Sequence, residues 1–164
     1  SPGTAGESGF EIIVFWRRLG YRHRSASKGN FMEAVGRVAK QIGNHGFYAR
    51  VCVSYSPLAG RQVELGTVAA YDEWQQAEGW SSAAIDGVAL GLELAGASGY
   101  CIVESVHGMV CDTSPGLVAI AGIWAAWGAV SFTPEPPLAN AIEGCVFKGH
   151  QLSPKELRAE LAGH

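Results

Sequence analysis

Charge is scarce in this chain: of 164 residues, 16% are Asp, Glu, Lys or Arg, while 48% are hydrophobic. That balance excludes an ordinary disordered protein and gives one compact domain a core without disulfide or metal staples. No fixed-period repeat runs through the chain, which sets solenoids and propellers aside. The four cysteines (Cys52, Cys101, Cys111, Cys145) include no CxxC pair and follow no secretory-type run. Three of them sit in apolar stretches, so reduced thiols in a cytoplasmic protein are expected. GxSxG and HExxH are both missing, which removes the commonest hydrolase and metalloprotease readings. The histidines (His23, His45, His107, His150, His164) are too scattered to spell a metal motif, and Cys145 with His150 lacks a second pair. Neither a metal nor another cofactor is therefore expected. Thr113 to Pro134 carries no charge at all, yet its helical part, about 16 residues, is short of the roughly 20 that span hydrocarbon. No membrane partner is expected. That helix, over 115–132, is instead a buried central element or the contact of a homo-oligomer.

The net charge of −3 gives the molecule no long-range preference for polyanions. Its distribution is uneven. Between Trp16 and Arg50 eight basic residues face one acid, Glu33, a local +7, whereas Val51 to the end carries four basic residues and twelve acids, a local −8. An anionic partner at the basic end is one reading, and two complementary surfaces within the fold or an oligomer are the other.

Ser1 to Gly9 is small, polar and Gly/Pro-rich and is expected to be a disordered lead-in to a single domain over 10–133. Gly9 to Arg18 reads as a strand, and Arg17 to Asn30 as an exposed basic loop. Asn30 with Glu33 has capping-box spacing, and Phe31, Val35, Val38 and Ile42 recur at helical intervals, so a helix closed by Gly43 is expected there. Phe47–Tyr55 alternates as a strand, and Val63–Tyr71 is expected to return antiparallel through Leu58-Ala59-Gly60-Arg61. A helix over about 81–95, with Gly87 and Gly91 one turn apart, admits a closely packed neighbour. A strand over Tyr100–Val110 follows, then a helix with Thr113 or Ser114 as cap and Pro115 in its first turn. Pro134, Pro136 and Pro137 read as a stiff linker, and Ser153-Pro154 with Glu156 opens a terminal helix that packs on the domain or on a partner.

These elements describe an α/β protein, an α+β sandwich with one mostly antiparallel four-stranded sheet and helices on one face. A ferredoxin-like βαββαβ order fits the first six elements. The alternative drops the first helix into a strand-to-strand loop and leaves three strands before a helix, strand and helix.

The stretch over 47–130 resembles domain IV of the elongation factor G class of translocation GTPases and their tetracycline ribosomal-protection relatives. Four pieces carry the likeness: Val51-Cys52-Val53-Ser54-Tyr55-Ser56-Pro57-Leu58; Ala83-Ala84-Ile85-Asp86-Gly87-Val88 with Gly91-Leu92-Glu93; Gly99-Tyr100-Cys101-Ile102-Val103; and Cys111-Asp112-Thr113-Ser114 before an alanine-rich helix. The resemblance implies a ribosomal-S5-domain-2-like fold and, by analogy, loops at one end that reach ribosomal RNA. Three departures stand out. No GxxxxGK[ST] loop exists, so GTP hydrolysis by that route is excluded. The loop between Glu104 and Asp112 is shorter than the family's, and the position of its tip histidine falls near Met109, with His107 close but unaligned. The other tip loop corresponds to Gly20 to Gly46.

Two functions follow. Arg17, Arg18, Arg22, Arg24 and Lys28, interleaved with Trp16, Tyr21 and His23, combine cations for phosphates with rings for bases, so a non-catalytic module that binds RNA or the ribosome is one expectation. The other is a small cofactor-independent enzyme of the isomerase, cyclase or lyase type. Trp74 and Trp80 would line its pocket for a small hydrophobic molecule, and Glu104, His107 and Asp112 would supply acid–base groups. Strand alternation puts Glu104 with Val106 and His107 with Val103 and Ser105. Trp124 and Trp127, three apart, read as core.

Overall fold

The computed structural model describes residues 12–13 and 31–164. Five strands, β1 (Ile12–Ile13), β2 (Met32–Ile42), β3 (His45–Ser56), β4 (Arg61–Leu65) and β5 (Gly99–His107), form one sheet in the order β1-β2-β3-β5-β4. Every pairing is antiparallel except that of β4 with β5. The helices are α1 (Thr67–Ala70), α2 (Glu73–Ala77), α3 (Trp80–Leu94), α4 (Pro115–Ala129), α5 (Pro136–Phe147) and α6 (Pro154–Leu161). The architecture is an α+β sandwich, a mostly antiparallel sheet with α3 and α4 against one face.

The helix expected over 30–42 is a strand. Its apolar residues satisfy two periods at once, since Ala34, Gly36 and Val38 alternate as well as Phe31, Val35, Val38 and Ile42 recur helically. Pairing decides between them: β2 zips to β3 from Met32↔Tyr55 to Ile42↔His45 around a turn where Gly43 takes a φ of 59°. The alternation then sends Ala34, Gly36 and Val38 to the core.

This removes the ferredoxin-like order, which requires a helix between the first two long strands, and leaves three strands followed by helix, strand and helix. The expected β3–β4 hairpin is also absent. Gly60, at a φ of 82°, accepts a hydrogen bond through its carbonyl from Gly99 N at 2.7 Å. The chain is thereby carried past the start of β5 and laid parallel to its far edge.

All of α4 from Gly116 to Ala129 is buried, as a helix apolar all round must be. It lies between the sheet and α3 of its own chain, which leaves the oligomer reading without that surface. Close approach is built from small residues: a Cβ at Gly87 would lie 2.1 Å from the Ala119 carbonyl oxygen. Trp124 and Trp127 are core residues, and Trp127 Nε1 donates to the Gly91 carbonyl at 3.0 Å. The proline segment opens α5, with Pro136 and Pro137 in its first turn, and Leu138, Ile142, Cys145 and Val146 join the core. In α6 the Ser153–Glu156 capping box forms as its spacing predicts, and Leu157 and Leu161 are wholly buried.

Burial of Cys101 beside Tyr55 pushes its thiol up from 9.0 to about 12. The fold thus favours the protonated thiol. That contribution is complete below the unfolded value and is lost as pH rises from 9.0 towards 12. The melting temperature is therefore expected to fall across this window, and Cys101→Val, of similar volume, is expected to flatten the fall. Equal slopes for the two proteins would refute the assignment.

Candidate nucleic-acid interface

Strand alternation builds the site. In β3 the odd-numbered residues Phe47, Ala49, Val51, Val53 and Tyr55 enter the core, so Tyr48, Arg50 and Cys52 point to the face opposite α3 and α4. Arg37 on β2 stands directly opposite Arg50, and Arg50 stands directly opposite His107 on β5. Three nitrogenous side chains thus form one row across three adjacent strands. The Arg37 guanidinium carbon lies 5.8 Å from the centre of the Tyr48 ring, within cation–π range.

A β-bulge puts His107 in the row. Cys52 pairs with Ser105 but Val53 pairs with Val103, so Glu104 is an extra residue with no partner in the ladder. Val103 and Val106 are consequently both buried, and His107 is exposed. The expected alternation, with His107 sharing the face of Val103, is thus corrected. A regular strand cannot bury residues three apart, and the bulge supplies the missing half-step.

The proposed catalytic trio is spread over this end of the molecule. Glu104 lies beside Gly66, where a Cβ would come 3.2 Å from its Oε2, on the β4 side. There it belongs to an acidic group around Tyr100, whose hydroxyl donates to Glu64 Oε2 at 2.5 Å. That hydrogen bond, then burial and the charges of Glu64 and Glu104, pushes the Tyr100 phenol up to about 12. Asp112 sits on the β3 side, its carboxyl filling the space a Cβ at Gly46 would need, and its carbonyl accepts from Tyr48 N at 2.8 Å. Thr113 completes the stitch, donating from Oγ1 to the Tyr48 carbonyl at 2.6 Å and accepting from Met109 N at 2.7 Å. No hydrogen bond or ion pair joins Glu104, His107 and Asp112 among the described residues.

Trp74 and Trp80 do meet, with ring centres 4.8 Å apart and planes at 72°. They fill each other's space. Trp80 is buried, and its ring occupies the position a Cβ at Gly108 would take, while Trp74 is 45% exposed. A groove of 350 Å³ lies elsewhere, between α5 and the end of α6, lined by Ala141, Cys145, Lys148, Glu160 and His164 among others. None of the expected site residues borders it.

Arg17, Arg18, Arg22, Arg24 and Lys28 lie outside the described residues, as do residues 20–30 of the segment read as the second tip loop, whose remainder forms β2, its turn and the start of β3. The positions on either side of residues 14–30 are set by β1 and β2. Ile13 pairs with Val35, and Phe31 precedes Met32, so both lie in the half of the sheet away from the Gly43 turn. Among the described residues, no group of three or more His, Cys, Asp or Glu side chains is placed to hold a metal. No described helix is long and apolar enough to cross a membrane.

The row itself went unread in the sequence. Tyr48, Arg50 and Cys52 already alternate there, but Arg37 joins them only once its segment is a strand.

No family model matches the chain, and no curated protein matches it. Among solved structures it is similar to the crystal structure of ttk003000868 from Thermus thermophilus, with a TM-score of 0.47 and 17% identity over 75% of this chain. The match spans 17% of that protein's length.

Proposed function

We propose that this chain is a non-GTPase module that binds RNA or the ribosome, of the translocation-factor domain IV type, in a reducing cytoplasmic setting. The observation that carries the reading is the row Arg37–Arg50–His107 with the Tyr48 ring beneath Arg37, on the sheet face opposite α3 and α4. Phosphates need cations at backbone spacing, bases need rings, and a flat sheet offers both in fixed positions. The basic segment with Arg17, Arg18, Arg22, Arg24 and Lys28 adds charge to the same chain. Four free cysteines are consistent with the reducing setting. The enzymatic alternative lacks a comparable observation, because its three polar groups belong to separate local networks.

The test is fluorescence anisotropy with a structured ribosomal RNA fragment across a salt series. Wild type is expected to bind with a steep salt dependence, and Arg37→Gln/Arg50→Gln to weaken binding and lower the log–log slope by about 1 for each phosphate no longer neutralised. Glu104→Gln, which removes a negative charge on the β4 side of the sheet, is expected to leave binding equal or tighter. Binding that ignores salt, or a double variant that binds like wild type, would sink the proposal.

A further inference from the structure

Large apolar side chains are exposed in α1, at its C-cap Tyr71 and in α2 to an extent the core does not explain. Val68, Tyr71 and Trp74 lie three residues apart and are 74%, 81% and 45% exposed. Tyr and Trp in such positions are the residue types that dominate binding energy at protein interfaces.

The patch is held rigidly. Trp74 rests edge-on against buried Trp80, the Asp72 carboxylate caps α2 by accepting from Gln75 N at 3.1 Å, and the Gln76 side-chain amide donates to the Ala70 carbonyl. Buried Ala69 fixes α1 from below. A ring fixed in advance, as that of Trp74 is, loses little entropy when something docks on it.

Charge says what docks. Asp72, Glu73 and Glu78 flank the two rings, and from Gln62 to Phe147 the chain has ten acids and no Lys or Arg at all. Aromatic faces and carboxylates together suit a guanidinium or ammonium group, which gains a cation–π contact and a charge-assisted hydrogen bond at one site. The cations recorded over rings among the described residues, Arg37 over Tyr48 and Lys40 over Phe147, are both remote from this patch in the sequence. The same carboxylates repel phosphate, so this surface is distinct from the row of Arg37 and Arg50.

We infer that the Tyr71/Trp74 face of α1 and α2 is a docking surface for a basic protein segment rich in arginine or lysine. The inference does not depend on the RNA reading. A module that met RNA through its sheet would present this face to the cationic tail of a neighbouring protein.

The experiment uses the full chain and fluorescein-labelled nona-arginine, read by anisotropy at low salt. Wild type is expected to bind, and Tyr71→Ala/Trp74→Ala, which leaves net charge unchanged, to weaken binding about tenfold, the scale of removing two cation–π interactions. Tyr71→Ala alone, at a position so exposed that the fold survives, is expected to retain part of that effect, with circular dichroism as the control. Arg37→Gln/Arg50→Gln is expected to bind the peptide as well as wild type does. Equal peptide binding by wild type and the double aromatic variant would reduce the contact to bulk electrostatics and overturn the inference. So would a double aromatic variant that loses RNA binding while its peptide binding stays intact, which would make the patch part of a nucleic-acid surface. Self-association abolished by Tyr71→Ala would name a second copy as the occupant and overturn it as well.

Discussion

Gly36→Ala is expected to lower stability by about 3 kcal/mol, which for a chain of this size is roughly a 6–12 °C drop in melting temperature. Two effects of opposite sign compete. Glycine is entropically poor inside a strand, so alanine there would ordinarily gain roughly 0.5–1 kcal/mol. Against that, the new Cβ would lie 1.9 Å from the Ala121 carbonyl oxygen and 2.5 Å from Ala125 N. Both atoms are helix backbone, so no rotamer relieves the clash. Nor can α4 retreat, because its backbone at Gly122 is so close to α3 that an added Cβ there would lie only 3.0 Å from the Ala84 carbonyl oxygen. Overpacking against a helix pinned from both sides sits at the upper end of the usual 1–3 kcal/mol range, and it outweighs the entropic gain. Gly144→Ala supplies the contrast. It lies inside α5 with nothing within 4 Å of its added Cβ, so it is expected to stabilise by about 0.5–1 kcal/mol. A thermal melt in which Gly36→Ala matches or exceeds wild type would show that α4 does not cross β2 there.

Trp127→Ala carries the largest expected effect of any side-chain truncation, about 3–5 kcal/mol. The ring is 1% exposed, lies 5.4 Å centre to centre from Phe132, and is tied by its indole N–H to α3. Its removal leaves a cavity between two helices whose spacing is already set by glycine contacts, so collapse into the space is limited. Trp127→Phe separates the contributions. The Gly91 carbonyl keeps its bond from Ala95 N at 3.1 Å, so losing the indole donor costs only the net worth of one hydrogen bond, about 0.5–1.5 kcal/mol, plus the packing the smaller ring gives up. Urea titration of the three proteins should rank them wild type, Phe, Ala. Trp127→Ala with an unchanged midpoint would mean that the α3–α4 interface is not the centre of the core.

Elements whose signal is local were legible in the sequence. Ser114 and Pro115 start α4, Ser153 and Glu156 start α6, and the uncharged run after Thr113 must be buried because an all-apolar helix has no face for water. The small residues at Gly87 and Gly91 likewise announced a close helix neighbour before that neighbour was known to be α4. The segment over 31–42 was not legible, because its apolar residues satisfy a 3.6-residue and a 2-residue period equally. Only eleven cross-strand partners on β3, remote information for any local reading, choose the strand. The same applies to β4: nothing in Val63–Leu65 says whether its neighbour is β3 or β5, and the Gly60–Gly99 contact decides.

Residue types sufficient for a site were visible in the sequence, but not their grouping. Glu104, His107 and Asp112 are near in sequence, yet among the described residues no hydrogen bond or ion pair joins them: Glu104 is the unpaired residue of the bulge, His107 pairs with Arg50, and Asp112 is stitched to Tyr48. Arg37, Arg50 and His107 span seventy residues and become one row. Composition, caps and the buried character of α4 follow from the sequence by itself, because each depends on a residue and its near neighbours. Register, the bulge and the Arg37–Arg50–His107 row belong to the tertiary structure, because a sheet's pairing energy is shared between segments that no local pattern connects.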